Sequence, residues 1–295
     1  GSAADEKADL WSLAENKLVG TLTGHQDNIL AATFSSDGKY ILTGSRDRNA
    51  MLWSREGQLI LTLLGHTNEV TAVAISPDGK YLLTGSADRT IKLWSAEDGK
   101  ELITFPPHSG TVTALAFLPD SKSFFAADWK QPIKRLSLEG KELGQLAGHA
   151  AVTTSIVLSP DGKQVLTGNW DGTAKRWSLD GKVLTTYRGH TFAVMSVAFS
   201  PDGKQVLTGN YDRNTTLFTL DGKEITTFQR HGDQVASVAF SPDGRFVLTG
   251  SQDKQAKLWY STNAFLKERV AEIPLEMLEK FGLEQGKWAE IMFSK

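Results

Sequence analysis

The chain has 295 residues, of which 40% are hydrophobic and 22% are charged, and its formal net charge is -2. This balance is typical of a globular protein, and the charge gives no electrostatic reason to expect nucleic acid or an anionic membrane as a ligand. The absence of cysteine excludes disulfides, thiolate catalysis and cysteine-ligated zinc, and no apolar run approaches the roughly 18 residues of a membrane span.

The first predicted elements form an incomplete unit. Residues 5–11 align with residues 47–53 further along the chain, and residues 18–22 follow as a second predicted strand. We expect these to be the two outer strands of a sheet whose inner strands come from another part of the chain. Gly1 and Ser2 resemble a cloning remnant, so we expect the chain to be a module of a longer protein.

Residues 65–106 display the organisation of one complete repeat. Short β-branched or alternating runs predict strands at residues 70–75, 81–84, 90–94 and 101–105. Pro77 begins a turn that ends in Gly79, and Asp98 with Gly99 is a hairpin signal. Four short antiparallel strands per repeat predict the blade of a β-propeller, an arrangement that leaves few exposed strand edges.

Three positions recur about every 41 residues along the chain. The first holds all six histidines, which are His25, His66, His108, His149, His190 and His231. The second is a turn aspartate followed in most copies by glycine, at Asp37, Asp78, Asp120, Asp161, Asp202 and Asp243. The third holds Trp53, Trp94, Leu136, Trp177, Phe218 and Trp259. A period of this length predicts a repeat architecture for the whole chain.

The repeat is lost beyond Trp259. Residues 265–281 have a helical pattern in which Pro274 begins a helix, whereas residues 288–294, from Trp288 to Ser294, resemble the first strand at residues 235–241. We therefore expect an all-β propeller with seven blades, made of six complete repeats and a composite closing blade, and a short helical C-terminal segment. Six blades follow if residues 18–22 pair with the strand at Trp259. The expected domains are a propeller at residues 1–260 and a helical tail with a closing strand at residues 261–295.

The repeat resembles that of the WD40 β-propeller family over residues 5–260. The Gly-His pairs, the turn aspartates and the pairs Trp53-Ser54, Trp94-Ser95 and Trp177-Ser178 carry this resemblance. In the family, a buried network links the histidine, a Ser or Thr of the second strand, the aspartate of the next turn and the tryptophan. The resemblance places this network, with Thr43 or Ser45 and their equivalents, at His25, Asp47, Trp53, His66, Asp88, Trp94, His149, Asp171, Trp177, His190, Asp212, His231, Asp253 and Trp259.

Two repeats depart from this network. In repeat five Phe218 replaces the tryptophan, so the indole hydrogen bond must be missing. In repeat three Ala126, Lys130 and Leu136 stand where the threonine, aspartate and tryptophan belong, which leaves only His108.

The histidine and aspartate sets look superficially like catalytic triads. Their recurrence in every repeat favours a structural brace, since an enzyme needs one such site. The sequence also has no phosphate-binding glycine loop, no zinc-binding helix motif and no nucleophile elbow, and its Asp-Gly pairs lack the carboxylate spacing of a calcium loop. We therefore expect no enzyme activity, no cofactor and no metal.

The residue before the network aspartate differs from repeat to repeat, as Arg46, Ala87, Trp129, Trp170, Tyr211 and Gln252. The family resemblance implies that this position lies on the top face, where partners dock, and aromatic residues and arginine dominate binding hot spots. The segment before the first strand adds Asn28 and other variable residues to this face. The predicted partner-binding surface is Arg46, Glu69, Trp129, Trp170, Phe192, Met195, Tyr211, Gln234 and Gln252.

The near-verbatim repeats of Ser-Pro-Asp-Gly-Lys resemble bacterial WD40 arrays. The resemblance implies a non-catalytic module that binds a protein or peptide, as the sensor or scaffold of a larger signalling or defence protein. The alternative is an architectural domain that packs against its parent protein and holds it inactive. We expect a cytoplasmic location and neither nucleic acid nor a membrane as partner.

Overall fold

The computed structural model describes residues 6–12, 17–130, 132–229, 231–261 and 271–272. All regular structure in these residues is β-strand, and the described strands number 26. They form one two-stranded sheet and six four-stranded sheets. The chain divides into two compact units, one built mainly from residues 1–145 and the other from residues 146–285.

The first unit contains a hairpin and three blades. The N-terminal hairpin is β1 (Lys7–Ser12) and β2 (Lys17–Thr23). Blade 1 is β3 (Ile29–Phe34), β4 (Tyr40–Ser45), β5 (Ala50–Ser54) and β6 (Leu59–Leu63). Blade 2 is β7 (Val70–Ile75), β8 (Tyr81–Ser86), β9 (Ile91–Ser95) and β10 (Glu101–Thr104). Blade 3 is β11 (Val112–Phe117), β12 (Ser123–Asp128), β13 (Ile133–Ser137) and β14 (Glu142–Leu146), at whose end the first unit gives way to the second.

The second unit contains three more blades. Blade 4 is β15 (Thr153–Leu158), β16 (Gln164–Asn169), β17 (Ala174–Ser178) and β18 (Val183–Tyr187). Blade 5 is β19 (Val194–Phe199), β20 (Gln205–Asn210), β21 (Asn214–Thr219) and β22 (Glu224–Gln229). Blade 6 is β23 (Val235–Phe240), β24 (Phe246–Ser251), β25 (Ala256–Tyr260) and β26 (Ala271–Glu272).

The strands of blade 2 lie within two residues of their predicted bounds, because local chemistry fixes the turns between them. Ser76 Oγ donates to Asp78 Oδ1 at 2.6 Å and closes the turn after the first strand. Gly79 follows at a φ of 71°, in the left-handed region that glycine adopts without a steric penalty. The second strand that follows this turn, Tyr81–Ser86, is buried beyond its first residue.

Apolar side chains of neighbouring blades pack into shared cores within each unit. In the first unit, Leu42 of blade 1 and Val70, Val73 and Leu82 of blade 2 belong to one buried cluster. Gly85 of blade 2 packs tightly against blade 3, since a Cβ there would lie 2.4 Å from Val112 Cγ1. A larger residue at Gly85 would therefore push the two blades apart.

The second unit is packed in the same way. Leu166 and Tyr187 of blade 4 share a buried cluster with Val206 and Phe218 of blade 5. Burial of apolar surface between neighbouring sheets, at about 25 cal/mol per Å², is the main favourable term for such an array.

The expectation of a helical tail is wrong at the two tail residues that belong to a described element. Ala271 and Glu272 form β26, which pairs with Leu258 and Lys257 of β25. The exposed edge of a third strand offers unpaired backbone N–H and C=O groups, and pairing there overrides the local helical preference. The expected closing strand at residues 288–294 lies outside the described residues, so the described part of the chain contains six four-stranded blades. Six is the blade number of the alternative prediction, and the described residues do not support the seventh blade that we expect from the sequence. The pairing differs from that alternative, because β26 pairs with β25 and residues 18–22 pair with β1.

Candidate functional site

Blade 2 contains a buried chain of hydrogen bonds that joins the loop before its first strand to its second and third strands. His66 Nδ1 lies 2.8 Å from Asp88 Oδ2, His66 Nε2 lies 2.8 Å from Thr84 Oγ1, and Trp94 Nε1 donates to Thr84 Oγ1 at 2.9 Å. We call this arrangement the brace. It ties the loop before the first strand to the turn after the second strand.

The chemistry of the end members fixes the proton positions in the brace. Because burial lowers the pKa of His66, its imidazole is neutral at pH 7, and Nε2 accepts from the Thr84 hydroxyl, which itself accepts from Trp94 Nε1. The carboxylate of Asp88 can only accept, so His66 Nδ1 carries the remaining proton. His66 is therefore a neutral imidazole in its Nδ1–H form.

Burial and hydrogen bonding shift the brace pKa values in a consistent direction. Burial lowers the pKa of His66 and lowers that of His149 to about 4, although the partner aspartates oppose this shift. Burial raises the pKa of Asp88, but hydrogen bonds from Thr90, Thr67 and His66 outweigh it and lower the pKa to about 2. At neutral pH the neutral His149 and the ionised Asp88 follow from these directions.

The brace recurs in three other blades with all four side chains. The distances from His Nδ1 to Asp Oδ2, from His Nε2 to Thr Oγ1 and from Trp Nε1 to Thr Oγ1 are compared in this order. In blade 1, with His25, Asp47, Thr43 and Trp53, all three distances are 2.8 Å. In blade 4, with His149, Asp171, Thr167 and Trp177, they are 3.4, 2.6 and 2.8 Å. In blade 6, with His231, Asp253, Thr249 and Trp259, they are 2.9, 2.8 and 3.0 Å.

The member from the second strand is therefore the threonine in each of these blades. Ser45 does something else, since its Oγ donates to the backbone oxygen of Asp27 at 2.8 Å.

Blade 5 has a modified brace because Phe218 supplies no N–H group. His190 Nε2 still lies 2.8 Å from Thr208 Oγ1, and His190 Nδ1 lies 3.3 Å from Asp212 Oδ2. Asn210 Nδ2 approaches His190 Nε2 at 3.1 Å and adds a second donor to it. The missing indole thus removes a donor to the Thr208 hydroxyl, while the imidazole keeps both of its brace partners and also contacts Asn210.

Blade 3 corrects the prediction that His108 has lost its aspartate. His108 Nδ1 lies 3.1 Å from Asp128 Oδ2, and the Asp128 side chain is 0% exposed. Asp128 lies at the end of the second strand, in the register of Ser45 and Ser86, rather than at Lys130. A signal was present in the sequence: the pair is separated by 20 residues, instead of the 22 found for His66 and Asp88.

The variable residue before the turn is held in the same way in every blade. Its backbone N–H donates to the backbone oxygen of the residue just before the first strand, at 2.9–3.1 Å. The pairs of donor and acceptor residues are Arg46 and Asn28, Ala87 and Glu69, Trp129 and Thr111, Trp170 and Val152, Tyr211 and Ala193, and Gln252 and Gln234. The fold therefore fixes the backbone of this position, whereas the side chain it carries differs from blade to blade. We call this part of each blade the loop end.

Four aromatic side chains of the predicted binding surface are half exposed. Their exposed fractions are 50% for Trp129, 49% for Trp170, 57% for Phe192 and 54% for Tyr211. The rings of Phe192 and Tyr211 lie 6.2 Å apart. The turn that carries Trp170 lies against the same loop, because a Cβ on Gly172 would be 3.4 Å from the backbone oxygen of Phe192. We call Trp170, Phe192 and Tyr211 the aromatic cluster of the second unit.

The other predicted surface residues are ion-paired or partly buried. Arg46 Nε and Glu69 Oε1 form an ion pair at 2.9 Å in the first unit, so their charges offset each other. Met195, Gln234 and Gln252 are partly buried. The structure thus brings together Phe192 and Tyr211 within the second unit and Arg46 and Glu69 within the first. The role of the surface in binding stays a prediction.

The described residues contain neither a metal-binding cluster nor a membrane-spanning helix. No group of three or more His, Asp or Glu side chains there is arranged to hold a metal ion. The described segments also contain no helix long and apolar enough to cross a membrane.

Comparison with known proteins agrees with this geometry. The family model for the IFT122 first beta-propeller matches residues 2–260. The chain belongs to the WD40 β-propeller family. The expected resemblance is thereby confirmed, and WD40 propellers serve in general as scaffolds for protein interaction.

Curated relatives match short parts of this WD40 chain. A guanine nucleotide-binding protein subunit beta of Schizosaccharomyces pombe is 36% identical over 55 residues, or 19% of this chain and 18% of the relative. Transducin beta-like protein 3 of Bos taurus is 38% identical over 52 residues, or 18% of this chain and 6% of the relative. The transcriptional repressor tup12 of S. pombe is 56% identical over 34 residues, or 12% of this chain and 6% of the relative. Each match thus spans a small part of the relative, about one or two repeats.

Proposed function

We propose that this WD40 chain is a non-catalytic module that binds a protein or peptide, as the sensor or scaffold of a larger signalling protein. The observation that carries the proposal is the aromatic cluster of the second unit. Trp170, Phe192 and Tyr211 are about half exposed on loops whose backbones are fixed by hydrogen bonds.

Exposure of this kind favours binding for an energetic reason. Large aromatic side chains lose little conformational entropy on association, and truncation of such anchors typically costs more than 1 kcal/mol of binding free energy. The brace adds rigidity, because Asp171 and Asp212 hold their turns to the preceding loops. A surface that is already ordered before association avoids part of the ordering cost.

The histidines support the same proposal. In blades 1, 2, 4 and 6 both ring nitrogens are occupied by the aspartate and the threonine, so neither is available to transfer a proton to a substrate. The relatives whose names include a guanine nucleotide-binding protein subunit and a transcriptional repressor are consistent with a role in signalling.

The test is affinity capture with the double variant Trp170→Ala, Tyr211→Ala beside the parent chain. We expect at least a tenfold loss of each specifically captured protein, since two anchors are removed. Tyr40→Ala is the matched control, because Tyr40 is a similarly exposed tyrosine at the start of a second strand, away from the loop end.

The outcome also separates the proposed role from the architectural alternative. Capture of separate proteins through Trp170 and Tyr211 supports the proposal. Binding confined to other domains of the parent protein favours an autoinhibitory role. Equal capture by the parent chain and the double variant would remove the aromatic cluster from the binding surface.

A further inference from the structure

The turn at the loop end of blade 2 carries a buried aspartate followed by an exposed arginine. In blade 2 the Asp88 side chain is 9% exposed and accepts hydrogen bonds from His66, Thr67 and Thr90. Arg89, the next residue, is exposed and has a φ of 73°. This is the left-handed region, which is unfavourable for any residue with a Cβ. In blade 4 the same position is Gly172, so the fold itself accepts glycine here.

A second exposed cation, Lys130, lies on the loop end of blade 3, whose first loop is bonded to the turn of Arg89 in blade 2. The His108 backbone N–H donates to the Arg89 backbone oxygen at 2.7 Å, which ties the two loops together. Asp128 accepts from His108 Nδ1 at 3.1 Å and from the Lys130 backbone N–H at 2.6 Å, and its carboxylate is turned fully inward. Arg89 and Lys130 are both exposed, and neither forms an ion pair with a carboxylate in the described ranges.

Trp129 precedes Lys130 in the chain and packs on the loop that is tied to Arg89. It is the residue between Asp128 and Lys130, and its backbone N–H donates to Thr111 at the end of the loop that begins with His108. Gly110 packs directly on it, since a Cβ at Gly110 would lie 2.9 Å from Trp129 Cβ. The half-exposed indole is therefore held close to the loop that contacts Arg89.

We propose that Arg89, Trp129 and Lys130 bind an acidic peptide segment. Carboxylates of the segment pair with the guanidinium and the ammonium, and a neighbouring apolar residue packs on the indole. The structure favours an anionic ligand because the carboxylates that flank the two cations in the sequence, Asp88 and Asp128, are paired with His66 and His108 inside the blades. This inference rests on the proposed function, since it names the chemistry of one partner.

The test is binding of the whole chain to an array of blocked octapeptides. Glutamate, glutamine or lysine occupies the polar positions of these peptides, and leucine or proline occupies the apolar ones. We expect binding to be concentrated in the glutamate peptides and to weaken as salt is raised, because exposed ion pairs are screened. Trp129→Ala is expected to weaken binding about tenfold.

Arg89→Gly is the decisive variant because its effects on binding and folding are expected to diverge. Loss of one exposed ion pair weakens binding by up to about fivefold. The Tm should not fall, since glycine relieves the left-handed backbone at this position. Lys130→Gln should have a similar effect on binding and serves as the second variant.

Arg48→Gly is the matched control. Arg48 has the same φ of 73° at the same turn position of blade 1, but the residue before its aspartate is Arg46, which pairs with Glu69. We expect that Arg48→Gly, like Arg89→Gly, does not lower the Tm and that it leaves peptide binding unchanged. If Arg48→Gly weakens binding as much as Arg89→Gly, the effect is general electrostatics and the site is wrong.

Two further results would overturn the inference. One is equal binding of glutamate and glutamine peptides, and the other is tighter binding of a single-stranded ribo-oligonucleotide than of any glutamate peptide. Both leave the proposed function intact if proteins are still captured through Trp170 and Tyr211. Failure of that capture, with specific binding of glutamate peptides at Arg89, would instead remove the aromatic cluster and keep this site.

Discussion

Blades 2 and 3 are neighbours in the first unit, and they differ in the brace while sharing the same sheet. In blade 2 Thr84 and Trp94 complete the brace, whereas blade 3 has Ala126 and Leu136 in their places. Both blades have four antiparallel strands in the same order. Their first two strands even have the same irregularity, after Val70 opposite Ser86 and after Val112 opposite Asp128. The brace is therefore not needed to set strand order or register.

Aromatic packing takes the place of the missing brace in blade 3. Phe124 is fully buried, with ring centroids 5.2 Å from Phe105 and 6.2 Å from Phe117. The corresponding residue in blade 2 is Leu82, which lies opposite Trp94 and shares its buried cluster with that indole, whereas Phe124 of blade 3 lies opposite Leu136. The comparison indicates that apolar burial builds the sheet and that the brace positions the turn at the loop end.

Thr84→Val in blade 2 should give the largest effect. The substitution keeps the shape of the side chain but leaves His66 Nε2 and Trp94 Nε1 buried without a partner. Each unsatisfied group costs about 1–3 kcal/mol, so we expect a loss of about 2–4 kcal/mol in the free energy of unfolding. Chemical denaturation followed by tryptophan fluorescence measures it.

Thr62→Val is the control for that change, because Thr62 is exposed on the outer strand of blade 1. Its effect should stay within about 0.5 kcal/mol. A loss for Thr84→Val no larger than that of Thr62→Val would contradict a stabilising brace.

Asp128→Ala in blade 3 should give the next largest effect. The substitution leaves His108 Nδ1 without its acceptor and removes the bond to the Lys130 backbone N–H. We expect a loss of about 2 kcal/mol, measured in the same denaturation experiment. Lys130→Ala, at the position where the repeat places the aspartate, should change stability by less than about 0.5 kcal/mol. The reverse order of these two effects would restore the pairing predicted from the sequence.

The fold was predictable from the sequence because the repeat supplies independent copies of one pattern. The strand predicted at residues 70–75 is Val70–Ile75, and the other three strands of blade 2 end within two residues of prediction. Turn residues such as Asp78 and Gly79 act locally, so their consequences can be derived without tertiary information.

The errors fall where tertiary contacts decide. The sequence alignment misses Asp128 because it looks for the aspartate at the position of Lys130, whereas His108 pairs with a carboxylate in the position that Ser86 holds in blade 2. The strand at Ala271 and Glu272 was missed because the edge of β25, rather than the local sequence, selects its conformation. The aromatic cluster was named residue by residue, but its contact between Phe192 and Tyr211 depends on loop geometry that no pattern gives.

The smallest expected effect is on the pH dependence of stability, to which His149 of blade 4 and Asp88 of blade 2 contribute. Burial lowers the pKa of His149 to about 4 in the folded chain, against about 6.5 when unfolded. Below pH 6.5 the unfolded state therefore binds more protons, and this contribution to stability is lost as the pH falls towards 4. The low pKa of Asp88, about 2, predicts a further loss as the pH falls from about 4 to 2.

Calorimetric Tm values across this pH range distinguish the two steps. His149→Gln should reduce the fall between pH 6.5 and 4 by roughly 2–4 °C, and Asp88→Asn should reduce only the fall at lower pH. Both variants should have a lower Tm than the parent at pH 7, since each disturbs a brace. A Tm that rises on acidification from pH 7 to 5, or an unchanged slope in His149→Gln, would contradict a neutral, buried histidine. The two steps are therefore assigned to His149 of blade 4 and Asp88 of blade 2, both of which belong to complete braces.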